Sequence, residues 1–201
     1  MKTKRLGNIL VGAGMLCLLL CFLYLLYLQY DNNRALERSL DTAVRVREVA
    51  WERYNDTDLS REQELLENRT LETVEIDGVE YIGYITIPSQ DLIMAVTADP
   101  NDEWLKFAAC RYYGSPYTND MVICGHNYDS GFGKIKELGE GDEVIFTDMN
   151  GNVTEYTVEM TEVLNGTDVT KMIESGYDLS LYTCTFGGSS RFTVRCTQVG
   201  L

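Results

Sequence analysis

The chain predicts an all-β domain with short helices, its strands closed or nearly closed into a barrel, standing behind an N-terminal membrane helix and a helical stalk. Three observations predict it. Ile9 to Leu28 is an unbroken apolar run, long enough to cross a bilayer as a helix rising ~1.5 Å per residue. Residues 31–70 are heavily charged and hold neither Gly nor Pro; Leu36, Leu40, Val44 and Arg47 recur there at helical spacing, and Trp51 and Tyr54 extend the row. From Glu72 onward, apolar segments of strand length alternate with turn residues at near-regular intervals, the pattern of a sheet that closes on itself.

Lys2, Lys4 and Arg5 precede the apolar run. The positive-inside rule therefore keeps residues 1–8 in the cytoplasm and sends the chain after Gln29 outside. A cleaved signal would have a shorter apolar core ending in small residues. Here Gly12, Ala13 and Gly14 come early, and the run ends in Tyr24, Leu25, Leu26 and Tyr27. The expected layout is a single-pass anchor over 9–28, a stalk or linker over 29–71 and a barrel over 72–201. Past Asn55 a helix and a partly ordered linker fit equally well. The net charge of −14, in a chain without a Lys/Arg-rich stretch, repels nucleic acid and excludes that class of partner.

The barrel begins with Val74–Ile76 and Val79–Tyr81 around Asp77-Gly78, a pair that supplies the positive φ angles of a type I′ hairpin turn. Ile82–Ile87 closes at Pro88, and Leu92–Val96 follows. Asp99 to Glu103 opens a short helix carrying Trp104, Phe107, Ala108 and Arg111 on one face. Strands are expected at Met121–Cys124, Glu143–Thr147, Glu155–Glu162, Leu179–Cys184 and Arg191–Val199. Asn150-Gly151 marks a second hairpin, and a turn or two of helix is expected over 169–175.

Of six cysteines, Cys17 and Cys21 lie in the apolar run, leaving Cys110, Cys124, Cys184 and Cys196 in the exported part. The single histidine, His126, follows Val122-Ile123-Cys124-Gly125 at a strand end. Cys184 ends another strand, and Arg191 opens the next. A thiol needs a basic partner to ionise near neutrality, and a tetrahedral intermediate needs a fixed donor for its oxygen. Cys, His and Arg at three strand ends supply all three parts.

These residues resemble the sortases, cysteine transpeptidases of Gram-positive bacteria. Ser180-Leu181-Tyr182-Thr183-Cys184 matches the family's Thr-Leu-x-Thr-Cys signature at all but the first position, Gly125-His126 matches its Gly-His, and Arg191 matches the arginine that begins its last strand. Ile82 to Pro88 and Phe132 to Asp142 add weaker matches. The resemblance spans about 72–201. It implies an eight-stranded sortase-like barrel and a two-step acyl transfer without a cofactor. Cys184 would attack a carbonyl in an LPxTG-like sorting motif of a surface protein. Arg191 would hold the oxyanion, and His126 would protonate the leaving amine. An amine of peptidoglycan or of its lipid precursor would then resolve the thioester. Thr183 and Cys124 are expected to line the substrate groove.

Other readings fit less well. Cys124, His126, Cys184 and Cys196 lack the close Cys-x₂₋₄-Cys pairs of structural zinc sites, so no metal is expected. Asp99, Asp102 and Glu103 are weighed as a calcium cluster and read as helix N-terminal charges. Papain-like enzymes reverse the Cys/His order. An inactive wall-binding barrel would usually have lost one of the three residues. Arg195 lies on the face of Arg191, and its position further along the strand makes it the weaker candidate and one dispensable for turnover. No Asp-Pro-aromatic lid precedes the barrel and no second apolar span follows it, so wall anchoring is expected over the alternative, pilus assembly.

Overall fold

A computed structural model of the chain describes residues 2–56 and 70–200; residues 57–69, expected as stalk or linker, lie outside the described residues. Helix α1 runs Lys2–Asn55. The chain divides into two compact units, Met1–Arg34 and Ala35–Leu201. In the first, side chains such as Leu10, Leu16, Phe22 and Leu26 are exposed, on a helix long and apolar enough to cross a membrane.

The second unit is built on nine strands: β1 Val74–Ile76, β2 Val79–Ile87, β3 Leu92–Thr97, β4 Ala109–Tyr113, β5 Met121–Gly125, β6 Glu143–Asp148, β7 Val153–Asn165, β8 Leu179–Cys184 and β9 Ser190–Gln198. A five-residue helix, α2 (Val169–Ile173), sits in the longest connection. The sheet order is β1-β2-β3-β4-β5-β8-β9-β7-β6, and β6 pairs again with β2. β2 to β9 therefore close into an eight-stranded barrel, and β1 is a short flap on β2. The β1–β2 turn is the expected one: Asp77 and Gly78 take φ of 53° and 78°, as a type I′ turn requires.

Alternation decides which side chains fill the barrel. Ile85 and Ile87 of β2, Met94 and Val96 of β3, Ile123 of β5, Phe146 of β6, Leu179 and Leu181 of β8 and Val194 and Cys196 of β9 belong to one buried cluster. Outside the barrel, Val46 and Ala50 of α1 pack with Tyr81, Ala95, Ala108 and Met149 in a second cluster. The helix buries a row of small residues, Ser39, Ala43, Val46 and Ala50, while Leu40, Trp51 and Tyr54 of the expected row stay exposed. Small side chains let the helix backbone approach the sheet closely, so this part of the expected stalk packs on the barrel. Arg53 fastens its end, donating from Nε to Met149 O (3.0 Å) and from Nη2 to Asn150 Oδ1 (3.0 Å) and Glu72 Oε2 (2.6 Å).

The expected helix through Arg111 shrinks to a 3₁₀ turn at Trp104–Lys106, and Ala109–Tyr113 is β4. It bridges β3, which it meets in parallel, and β5, which it meets antiparallel. The barrel needs that strand for closure, and sheet pairing overrides the local helical spacing.

β2 kinks at Gly83, where the β2–β3 register shifts. Its φ is +149°, and a Cβ there would stand 2.0 Å from Thr147 O. Gly83→Ala is expected to destabilise the protein by about 2–4 kcal/mol, through strain and displaced β6 backbone, as read by chemical denaturation.

Candidate active site

The site is laid out by strand register. β5 and β8 run parallel, with Met121 opposite Leu179 and Gly125 opposite Thr183. Both strands end at one rim, where His126 follows Gly125 and Cys184 follows Thr183. β9 returns antiparallel, and its Arg191 is the partner of Cys184. His126, Cys184 and Arg191 thus stand side by side on three adjacent chain segments, although 65 positions separate His126 from Arg191 in the sequence. Alternation puts all three on the outer face, because Leu181 and Val194 beside them point inward.

Each member is held by its own surroundings. Gly125 precedes the histidine because a Cβ there would lie 2.5 Å from the Phe132 ring, so glycine lets that ring seal the barrel beneath His126. The imidazole meets Tyr128 edge-on, with ring centroids 5.7 Å apart, and shares a narrow seam with Leu36 and Ser39 of α1 and with Lys106. Its pKa lies below the ordinary histidine value, chiefly because burial disfavours the charged form; Asp102 opposes the shift and Lys106 adds to it.

Cys184 is half-buried at the rim. The loop after it is tight: Thr185 N donates to Ser190 O (3.0 Å) and Gly188 N to Thr185 O (2.9 Å), and Phe186 stands fully exposed at its tip. Arg191 donates from Nη1 to Gly188 O (2.8 Å) and Ser190 O (3.2 Å). Gly166 of the β7–β8 connection packs against the guanidinium, where a Cβ would stand 3.4 Å from Nη1. One edge of the fork is therefore spent on fixing the arginine.

Thr183 and Cys124, expected to line the groove, are both buried. Thr183 is wholly buried and donates from Oγ1 to Gly125 O (2.9 Å), which ties the strand of Cys184 to the residue before the histidine. Cys124 is 6 % exposed. It lies between Cys110, with the two Sγ atoms 3.1 Å apart, and Tyr182, its partner in β8. The Cys110 contact lowers its pKa against the opposing effect of burial, helped by Tyr182 and the charge of Arg191, while Cys110 is held protonated by the same contact and by burial. Cys110 escapes the sequence reading because β4 does; the signal was present only as a second cysteine in a strand too irregular to recognise.

The two arginines on β9 separate cleanly. Arg195 is 1 % exposed. Its Nε donates to Glu162 Oε1 (2.8 Å), Nη1 to Ser180 Oγ (2.6 Å) and Nη2 to Lys171 O (2.8 Å). It pins α2 and the β7–β8 connection to the outer sheet, next to the cluster of Val122, Leu164 and Met172. It is part of the framework and not of the rim. Ser180, the one departure from the signature, is the residue that receives it.

Among the described residues no group of three or more His, Cys, Asp or Glu is placed to hold a metal ion, and Glu103 of the weighed calcium cluster pairs with Lys106 instead (2.9 Å). A concavity of about 550 Å³ lined by Trp51, Tyr54, Tyr84 and Val153 involves none of the rim residues.

A closed eight-stranded barrel with cysteine, histidine and arginine on one rim defines the class of protein. The chain belongs to the sortase family of transpeptidases: residues 85–199, more than half of its length, match the family model described as Sortase domain. Solved structures agree in fold. Sortase C1 from Streptococcus agalactiae is 21% identical with a TM-score of 0.62, over 75% of this chain and 95% of that one. Clostridium perfringens sortase C, solved with the C-terminal cell wall sorting motif, is 20% identical with a TM-score of 0.57, over 75% and 95%. Listeria monocytogenes sortase A is 25% identical with a TM-score of 0.50, over 59% and 86%. No curated protein matches the chain by sequence.

Arg195→Lys keeps the charge but cannot reach three acceptors at once. It is expected to cost about 1–3 kcal/mol, the loss typical of leaving a buried acceptor unpaired, measured by urea denaturation. His126 yields a second expectation. Its folded pKa lies below the unfolded value of 6.5, so the stability it supports is present above that value and is lost as pH falls through the folded pKa. Melting temperatures followed from about pH 7 to about pH 5 should fall more steeply for wild type than for His126→Gln.

Proposed function

We propose that this chain is a membrane-anchored sortase that cleaves an LPxTG-like sorting motif and transfers the new acyl end to an amine of the cell wall or of its lipid precursor. The observation that carries the reading is the register that aligns His126, Cys184 and Arg191 on adjacent strand ends. The sorting motif held by the Clostridium perfringens relative supports the substrate class.

In the first step the Cys184 thiolate attacks the carbonyl carbon of the motif's scissile peptide bond. Negative charge develops on the carbonyl oxygen, and Nε and Nη2 of Arg191, which no neighbour occupies among the described residues, are the donors for it. His126, as imidazolium, gives its proton to the departing amine as the C–N bond breaks. In the second step an incoming amine attacks the thioester, His126 takes its proton, and the Cys184 thiolate leaves. The lowered pKa of His126 makes its charged form a minor one near neutrality. No cofactor enters either step. Lys2, Lys4 and Arg5 ahead of the apolar helix support an orientation with the N-terminus in the cytoplasm and the barrel outside, where sorting motifs and wall amines meet.

Incubation of the protein with an LPxTG-like peptide and an amine, followed by mass spectrometry, tests the reading. A thioester on Cys184 is expected, with none in Cys184→Ala; an acyl group on another cysteine would overturn it. Arg191→Lys keeps the charge but loses the fork, and should lower kcat by on the order of 10²–10³ with little change in KM, because an oxyanion donor acts in the transition state. Steady-state kinetics on the same substrates read this directly.

A further inference from the structure

Two cysteines with no part in the acyl transfer meet just below its histidine. Cys110 and Cys124 are direct partners in the antiparallel β4–β5 pair. Their Sγ atoms stand 3.1 Å apart, and both residues are buried. We propose that Cys110 and Cys124 form a disulfide in the mature protein, and that this bond keeps Cys124 from capturing the nucleophile Cys184.

The geometry suits the bond. Antiparallel partners have Cα atoms about 4.5 or 5.5 Å apart, within the ~4.4–6.8 Å that a disulfide spans. The sulfurs need to close by only about 1 Å to reach bonding distance near ~2.05 Å, a rotamer adjustment rather than a backbone movement.

The need for it also follows from register. Cys124 faces Tyr182, and Cys184 is the next residue of β8 on the same face. That diagonal separation is roughly 7–8 Å between Cα atoms, the shortest that register gives between Cys184 and another thiol of the barrel's outer face; it exceeds the ~4.4–6.8 Å a disulfide spans, so capture needs the end of β8 to shift, as it can on a chain still folding. Cys196 belongs to the interior cluster. On the oxidising side of a membrane, a free Cys124 would compete for the thiol on which transfer depends. This part rests on the orientation and the Cys184 role proposed above; the pairing of Cys110 with Cys124 rests on geometry alone.

The bond forms by exchange with an external disulfide, such as oxidised glutathione or a thiol–disulfide oxidase, as β4 and β5 pair on the folding chain. One thiolate of the pair attacks a sulfur of the external disulfide and expels a thiolate, which takes up a proton. The second cysteine, as thiolate, then attacks the mixed disulfide and expels the other half. Two cysteine thiols are oxidised, and one external disulfide is reduced to two thiols.

The test uses the detergent-solubilised full chain, refolded in an oxidised/reduced glutathione buffer, then denatured, alkylated and mapped by mass spectrometry. The expected wild-type result is a Cys110–Cys124 linkage with Cys184 alkylated. In Cys110→Ser, Cys124 should instead link to Cys184, with transfer activity lowered at least tenfold and restored by dithiothreitol. Free Cys110 and Cys124 in the oxidising buffer, or a Cys124–Cys184 linkage in wild type, would overturn the proposal. The map reads wild type alone, so it stands if the variant fails to fold. It needs neither activity nor a membrane, so a failed acyl-transfer reading, seen as no thioester on Cys184, is a separate result.

Discussion

The parallel pairing of β5 with β8 is the constraint on which the rest of the molecule depends. Most of the sheet is antiparallel, where consecutive strands end at opposite rims. Two strands that end at the same rim require a crossover, and here β6, β7 and α2 make it. Only that arrangement brings a residue after β5 level with the last residue of β8. The buried bond from Thr183 Oγ1 to Gly125 O locks the level of the two strands, and a slip of one residue would turn Cys184 toward the core.

Around this pairing, the outer face of β5, β8 and β9 is divided by depth. At the rim, Cys184 keeps partial exposure. One step deeper lie Cys124 and Tyr182, and deeper still Arg195 and Ser180 sit beneath the β7–β8 connection. The buried guanidinium of Arg195 is tolerable because several acceptors surround it, and those acceptors come from α2, β7 and β8. The same strand therefore carries two arginines with opposite duties. One is partly exposed at the rim, and the other is buried and spent entirely on shape.

Much of this was legible in the sequence, and the reasons differ by element. Asp77-Gly78 announced its hairpin because few residues accept two positive φ angles in a row. β2, β5 and β8 were legible from apolar runs, and the rim from Gly125-His126 and Leu181-Tyr182-Thr183-Cys184. β4 was not, because Ala-Cys-Arg-Tyr-Tyr has no clear period and becomes a strand only between β3 and β5. The docking face of α1 was missed for a related reason. Its contacts use Ser39, Ala43 and Ala50, whose small size matters at close approach and is invisible to a count of large apolar residues. The burial of Thr183, Cys124 and Arg195 depends on what lies above them, which strand patterning alone does not encode.

The distance along the chain between the matched strands bears on timing. Gly125 and Thr183 are 58 positions apart, and a contact so remote must wait for loop closure before it repays any entropy. β8 and β9 follow β5 along the chain, so a partly made barrel holds His126 before Cys184 and Arg191. The rim that joins the three residues is therefore among the last features of the barrel to form. A chain interrupted anywhere before β9 lacks the complete rim of His126, Cys184 and Arg191.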